Sequence, residues 1–223
     1  MSNRSDVGTP YYDEAYYAWQ RHTGELGAEL DVWKFRPFVT DRMRVLDFGC
    51  GGGFMLEALP ARERWGVEVN AAAALEAAKR LDFVLGSVSD IPPGQKFDVI
   101  ISHHALEHVE APLDVLKELR PNLASGGKAI FVVPAESWYQ HLSYDPKDVN
   151  QHLYTWTPLL LGNLFSHAGY QVESVEILCH RWTPKAVLVS RLLNRQVYSL
   201  ACRATALLTF SRQLRIVAKP LPL

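Results

Sequence analysis

The chain has 223 residues, a length that suits one α/β domain with modest additions. Its 48% hydrophobic and 21% charged residues are ordinary for a globular protein, and no apolar run reaches membrane-spanning length. A formal net charge of −1 disfavours a general affinity for phosphate backbones, and three dispersed cysteines form neither a disulfide framework nor a zinc knuckle. We therefore expect a cytoplasmic protein without nucleic-acid partners or membrane insertion.

Residues 1–40 precede the first predicted strand and are unusually rich in tyrosine, tryptophan and phenylalanine. Such a density of large apolar groups predicts ordered helices, because disordered segments lack them. The helices could simply pack against the sheet edge, or they could form a lid over a ligand, and the two interpretations are compatible. We predict a helical N-terminal lid in which Tyr11 contacts the bound ligand, a cofactor.

A glycine cluster follows the first predicted strand, at residues 43–48, and precedes a helical pattern from Phe54 to Leu59. Strand, tight turn and helix N-terminus is the arrangement with which open α/β sheets bind nucleotides. A dinucleotide loop would have its third glycine at Phe54, and Asp47 would repel a pyrophosphate, so an NAD(P) oxidoreductase is disfavoured. A ligand that carries an ammonium group beside an adenosine would suit Asp47 better than a pyrophosphate would. We predict that Asp47, Gly49 and Gly51 bind S-adenosylmethionine.

Two further predicted strands, at residues 64–69 and 82–86, carry the rest of the expected nucleotide site, and an alanine-rich helix separates them. Glu68 lies near the end of the first of these strands, at the spacing from Gly49 where an acid can accept hydrogen bonds from both ribose hydroxyls. We predict that Glu68 and the adjacent Val69 bind the ribose region. Ser87 and Val88 follow the next strand, where we expect the edge of the adenine ring.

Strands and helices continue to alternate toward the carboxyl end, which predicts a mainly parallel sheet. Pro112 suits the first turn of a helix, and Thr155 or Thr157 is a candidate cap for another that stops at Gly169. The remaining predicted strands are 97–102, 128–133, 171–178 and 213–218, and the remaining predicted helices of this core are 113–119 and 156–168.

Four segments together resemble the class I S-adenosylmethionine-dependent methyltransferases: 47–53 (DFGCGGG), 66–68 (GVE), 97–109 (FDVIISHHALEHV) and 119–128 (LRPNLASGGK). The resemblance covers roughly residues 40 to 180. It implies a doubly wound, Rossmann-like, mostly parallel seven-stranded sheet with helices on both faces. The sequence departs from the family at Ser87, where an acid often pairs with the adenine amino group. We predict one domain, divided into a lid (1–40), a cofactor-binding core (41–183) and a helical insertion with the last strand (184–223).

Histidines concentrate in segments expected at the carboxyl edge of the sheet. His103 and His104 directly follow Ser102, which we expect to bind the cofactor. The resemblance therefore implies that both histidines lie near the methyl group of the cofactor. His152 could face them from a long loop. Any of the three could be a general base, since histidine titrates near neutral pH, or only a hydrogen-bonded loop residue. The same loop, residues 134–155, supplies three predicted acceptor-binding residues: Tyr139, His141 and Tyr154.

The run from His104 to His108 also spells the H-x-x-E-H pattern of a zinc-peptidase class. That site needs a helix interior, whereas this segment directly follows a strand, so we predict no metal. In the resembling family, Glu107 and His108 would be structural or adjacent to the cofactor.

The clustered candidate bases favour O-methylation of a small molecule such as a sugar, sugar nucleotide or secondary metabolite. The alternatives are an N-methyltransferase of a small molecule and a non-catalytic cofactor-binding scaffold subunit. Between 184 and 210, a mostly helical insertion is expected to pack on the core or on a second subunit, which would make a homodimer.

Overall fold

In the computed structural model of this chain, residues 24–135, 144, 151–182 and 195–222 are described. Three predicted site residues, Tyr11, Tyr139 and His141, lie outside the described residues.

Seven strands form one sheet, in the spatial order β3-β2-β1-β4-β5-β7-β6. The pairs from β3 to β5 are parallel, whereas β7 runs antiparallel to both of its neighbours, β5 and β6. The prediction of a mostly parallel seven-stranded sheet is therefore confirmed. The strands are β1 (Arg44–Phe48), β2 (Glu63–Val67), β3 (Phe83–Leu85), β4 (Phe97–His103), β5 (Leu123–Pro134), β6 (Tyr170–Leu178) and β7 (Gln213–Pro220).

Strand β5 begins at Leu123 rather than at the predicted residue 128. Its first residues pair with β4 through a register shift, from Phe97 opposite Leu123 to Val99 opposite Lys128. The glycine pair inside the shift makes it possible, because a Cβ on Gly127 would lie 3.0 Å from two backbone carbonyl oxygens.

Helices connect β1 to β2, β2 to β3 and β4 to β5, as expected for crossover connections, whereas a 3-10 turn (Val88–Asp90) lies between β3 and β4. The Thr157 hydroxyl accepts a hydrogen bond from the Leu160 N–H at 3.1 Å, so Thr157 is the cap of the helix that follows. The predicted helix from Phe54 shortens to a single turn. The described helices are α1 (24–31), α2 (Phe54–Glu57), α3 (Ala71–Ala77), α4 (Pro112–Leu119), α5 (Pro158–His167) and α6 (Arg195–Leu208).

Both faces of the sheet are buried. Successive residues of a strand point to opposite faces, and here Leu46 and Ile100 lie in one core cluster while Val45 and Ile101 lie in the other. The central strands are therefore nearly continuous apolar runs, which is typical of a parallel sheet covered by helices on both sides. Ligands of such sheets bind at the carboxyl edge where strand order reverses, here between β1 and β4.

The segment before β1 and the insertion before β7 both contribute to this packing. Phe35, in the turns after α1, is fully buried in the same cluster as α2. In α6, the buried side chains Tyr198, Cys202 and Ala206 recur every four residues, as expected for one helix face packed on the core. Among the described helices, none combines the length and apolar character needed to cross a membrane.

Candidate cofactor and acceptor site

The glycine loop is held close to the ends of β2 and β4. The Gly49 and Cys50 N–H groups both donate to the Val67 carbonyl, at 2.9 and 3.1 Å. Gly49 has φ of 73°, and a Cβ there would lie 2.3 Å from the Ala105 Cβ, so only glycine allows this approach. At Gly51, with φ of 52°, a Cβ would meet nothing within 4 Å. The loop therefore leaves open space that a ligand can fill.

Asp47 is a buried carboxylate beside this loop, with 2% of its surface exposed. Burial and then the nearby Glu68 raise its pKa from 3.8 to about 7. Within the described part of the chain, no group donates a hydrogen bond to this carboxylate. A cation at this position would favour its charged form, which fits the ammonium group of S-adenosylmethionine.

Two backbone N–H groups fix the Glu68 carboxylate at the end of β2. Gly51 donates to Oε2 and Asn70 donates to Oε1, both at 2.8 Å. Burial raises the pKa of Glu68, although these hydrogen bonds oppose the rise. Glu68 and the glycine loop are thus one connected unit, which suits recognition of a ribose by the free lone pairs of the carboxylate. Val69, next to it, is 76% exposed.

The other predicted cofactor residues lie in different settings. The Ser87 hydroxyl accepts from the Ser89 N–H at 3.2 Å, and the Val88 side chain is buried in the core. Ser102 is 1% exposed, and its hydroxyl donates to the Phe48 carbonyl at 2.8 Å, which ties β4 to the end of β1. The structure therefore does not bring the Ser102 hydroxyl into the open cleft.

His103, at the end of β4, contacts a buried lysine. The Lys34 side chain is fully buried, and its Nζ lies 3.0 Å from His103 Nε2. Burial, then the Lys34 charge, then His104 lower the pKa of His103 well below its ordinary value. His103 is therefore neutral near pH 7. Sequence patterns did not reveal Lys34, because its partners are remote in the chain.

His104 directly follows β4 and has a backbone φ of 55°. A non-glycine residue in this left-handed region is strained, and such residues cluster at functional sites. His104 Nδ1 lies 3.0 Å from Glu107 Oε1, and Glu107 has no exposed surface. Burial is the largest single influence on Glu107 and raises its pKa, but the hydrogen bond and charge of His104, a backbone hydrogen bond and the charge of His108 together outweigh burial and lower the pKa of the carboxyl group. Glu107 therefore holds the imidazole as a charged partner.

His152 and Tyr154 approach the turn that follows His104. The His108 and His152 rings are 4.8 Å apart, edge to face, and the Leu153 N–H donates to the Glu107 carbonyl at 2.9 Å. Ligand-type atoms of Glu107, His108 and His152 lie within 4.8 Å of one another. This cluster joins the loop to the β4 turn, and it is the set of described residues that could hold a metal ion. His104 and His108 do not share a helix, since residues 106–108 form a single 3-10 turn.

A family model described as a methyltransferase domain matches residues 21–175. The chain belongs to this family, and with the glycine loop, Asp47 and Glu68 it is a class I methyltransferase that uses S-adenosylmethionine. The resemblance seen in the sequence is confirmed.

Among similar proteins of known name, a ubiquinone biosynthesis O-methyltransferase of Xanthomonas euvesicatoria is 30% identical, over 66% of this chain and 71% of that protein. A mitochondrial protein of the same name from Candida albicans is 37% identical, over 38% of this chain. The chain spans only 30% of the length of the Candida protein.

Solved structures share the fold. A methyltransferase of Archaeoglobus fulgidus superposes with a TM-score of 0.64 at 19% identity, over 93% of this chain and all of that chain. The plantazolicin methyltransferase in complex with S-adenosylhomocysteine superposes with a TM-score of 0.58 at 18% identity, over 97% of this chain and 91% of that chain.

Proposed function

We propose that this chain transfers the methyl group of S-adenosylmethionine to a hydroxyl oxygen of a small molecule, such as a sugar, sugar nucleotide or secondary metabolite. The observation that carries the proposal is the His104–Glu107 pair at the carboxyl edge of β4, because a positioned base serves a hydroxyl nucleophile. The names of the relatives, O-methyltransferases of ubiquinone biosynthesis, also favour oxygen over nitrogen.

The residues at the cofactor end would orient the donor. Asp47 would pair with its ammonium group and Glu68 with its ribose hydroxyls. Because Gly51 has no Cβ and open space beside it, the ligand could approach the loop backbone closely there. When bound, S-adenosylmethionine supplies a methyl group on a positively charged sulfur. Alignment of the hydroxyl with that carbon–sulfur bond is the main contribution asked of the protein.

His104 is the best placed of the three predicted bases. Its Nδ1 bonds to Glu107, so Nε2 would accept the proton of the acceptor hydroxyl as the oxygen–methyl bond forms. Glu107 would fix the tautomer and stabilise the protonated ring, as the carboxylate of a Ser-His-Asp triad does. His103 lacks this support, because its Nε2 faces the Lys34 ammonium.

Residues of the 151–157 segment would contribute to acceptor binding. Tyr154 uses its hydroxyl to donate to the Glu110 carbonyl at 2.9 Å, and its ring stacks on Trp156. Tyr154 would therefore offer the acceptor an aromatic surface rather than a hydroxyl. His152, in contact with His108, would position this segment beside the base.

The test combines binding and turnover. Isothermal titration should detect S-adenosylhomocysteine binding, and methyl transfer from a labelled donor to a metabolite pool should identify the acceptor. His104→Gln should leave the binding intact and lower turnover about 10²- to 10⁴-fold. His167→Gln is the matched control, because His167 is exposed on α5 and bonds only to its own helix. Full turnover by His104→Gln would remove the proposed base, and absent cofactor binding would remove the proposed function.

A further inference from the structure

Helix α6 presents an apolar face to solvent in addition to the face that it packs on the core. The exposed apolar residues follow one another at spacings of three and four, which places them on one side of the helix. The leucines and the valine among them are between 50% and 81% exposed. We call this set the outer face of α6: Val197, Leu200, Ala201, Ala204, Leu207 and Leu208. An exposed apolar patch of this kind indicates an interaction surface.

The part of the sequence that contains α6 is strongly basic. All 24 acidic residues of the chain lie at or before Glu176, whereas eight of the 23 lysines and arginines follow it. The net charge of −1 for the whole chain therefore combines an acidic part with a basic part. Helix α6 lies entirely within the basic part. Charge complementarity thus favours a negatively charged partner for the outer face.

Exposed arginines lie beside the outer face. Arg203 follows Leu200 by three residues and precedes Leu207 by four, so it neighbours both leucines on the helix surface, and it is exposed. Arg181 is also exposed, and its N–H donates to the Cys202 carbonyl at 3.2 Å, which holds Arg181 next to the helix. Apolar side chains and positive charges are therefore combined on one surface.

Two carboxylates of α1 also influence α6, but they do so from the core. Burial, then Cys202, then the charges of Asp31 and Glu29 raise the pKa of Tyr198. Tyr198 belongs to the buried face of α6, so these acids approach the helix from the side that packs on the protein. They leave the positive charge beside the outer face in place.

We propose that the outer face of α6 docks on the surface of a bilayer that contains anionic lipids. Its leucines would enter the boundary between headgroups and acyl chains, and the neighbouring arginines would contact lipid phosphates. The 14 residues of α6 form a helix about 21 Å long that would lie in the plane of the interface. Such binding is peripheral and does not require a helix that crosses the membrane.

A second copy of the chain fits the outer face less well than an anionic surface does. In a two-fold dimer the same patch of both copies is in contact. Arg181 and Arg203 of one copy would then approach the same arginines of the other, and like charges repel. Lipid phosphates would instead pair with these arginines while the acyl boundary receives the leucines.

Sedimentation of the full chain with lipid vesicles tests the proposal. Wild type should bind vesicles of equal parts phosphatidylcholine and phosphatidylglycerol at least about tenfold more tightly than vesicles of phosphatidylcholine alone, since each arginine near an anionic surface contributes about fivefold. Leu200→Gln should weaken binding to the anionic vesicles about tenfold or more, and Arg203→Gln about fivefold. Leu75→Gln is the matched control, because Leu75 is 73% exposed on α3, at the opposite end of the sheet from β7, and should bind like wild type.

Three results would overturn the proposal, once circular dichroism has shown that each variant is folded. The first is that wild type does not bind the anionic vesicles, or that Leu200→Gln binds them equally well. The second is a wild-type dimer, seen by analytical ultracentrifugation without vesicles, that Leu200→Gln dissociates, because a second copy would then cover the outer face. The third is tighter binding to soluble polyglutamate than to the vesicles, which would indicate an acidic protein partner. These assays involve neither the methyl donor nor the acceptor, so failure of the proposed methyl transfer would leave their results unaffected.

Discussion

Asp47 should make the protein without its cofactor less stable as the pH rises, and Asp47→Asn should remove that effect. The pKa of Asp47 is 3.8 in an unfolded chain and about 7 in the folded protein, where the carboxyl group is buried beside Glu68. The folded state therefore binds the proton more strongly. The contribution of the protonated Asp47 carboxyl group to the stability of the fold is complete below pH 3.8 and is lost as the pH rises through 7.

The size of the effect follows from the two pKa values. One pKa unit corresponds to about 1.36 kcal/mol, so the rise from 3.8 to about 7 amounts to at most ~4 kcal/mol at a pH well above 7. Asp47→Asn cannot ionise. The variant should gain up to this amount in free energy of unfolding relative to wild type at pH 8, and only about 1.6 kcal/mol at pH 5, because the unfolded carboxyl group is already ionised there and the folded one is not. It should also bind S-adenosylhomocysteine about 10- to 100-fold more weakly, because one charge-assisted contact is lost.

Urea unfolding at pH 5 and pH 8 measures the first effect, and isothermal titration measures the second. Asp114→Asn is the matched control, since the Asp114 side chain is 77% exposed on α4 and should change neither quantity. An equal stability difference between Asp47→Asn and wild type at both pH values would refute the argument from burial. Unchanged cofactor affinity would refute the assignment of the ammonium to Asp47.

Three further variants test the packing of the loop, the strand junction and the base. Gly49→Ala should lower the melting temperature and abolish S-adenosylhomocysteine binding, because its Cβ would lie 2.3 Å from that of Ala105; a fully stable, binding-competent variant would contradict the loop geometry. Ser102→Ala should cost about 1–3 kcal/mol in urea unfolding, because a buried carbonyl loses its donor, while titrated cofactor affinity stays unchanged; a loss of affinity alone would instead place the hydroxyl in the cleft. Glu107→Gln should lower turnover about 10²- to 10⁴-fold with cofactor affinity retained, and wild-type turnover would show that His104 needs no charged partner.

The sheet and the approach of Glu68 to the glycine loop could be predicted because their signals are local. Alternating strand and helix patterns are continuous along the chain, and Glu68 follows Gly49 at a spacing that the turn between adjacent strands imposes. The first and last residues of the strands are harder to predict from the sequence. The early start of β5 depends on how Gly127 fits beneath the β4 backbone, which no sequence pattern encodes.

The surroundings of the predicted histidine bases could be predicted only in part, because they depend on contacts between residues remote in the chain. The sequence does not distinguish His103 from His104, yet in the structure His103 contacts Lys34 and His104 contacts Glu107. Lys34 is 69 positions from His103 and 179 positions from Gln213. A lysine in an aromatic segment indicates a solvent-exposed side chain by default, since lysines are rarely fully buried. Only the folded chain shows that this one is an internal donor.

The antiparallel strand β7 has a consequence for how the chain is made. Strand β7 separates β5 from β6, so a nascent chain that has left the ribosome only as far as β6 has no partner for that strand in the sheet. The last gap can close only after residues 213–220 emerge, through pairings between segments far apart in sequence, which form slowly. Because the first residue of β7 is Gln213, the same event delivers the oxygen that Lys34 contacts. Pairing of β7 with its neighbours and formation of the Lys34–Gln213 contact are therefore a single step.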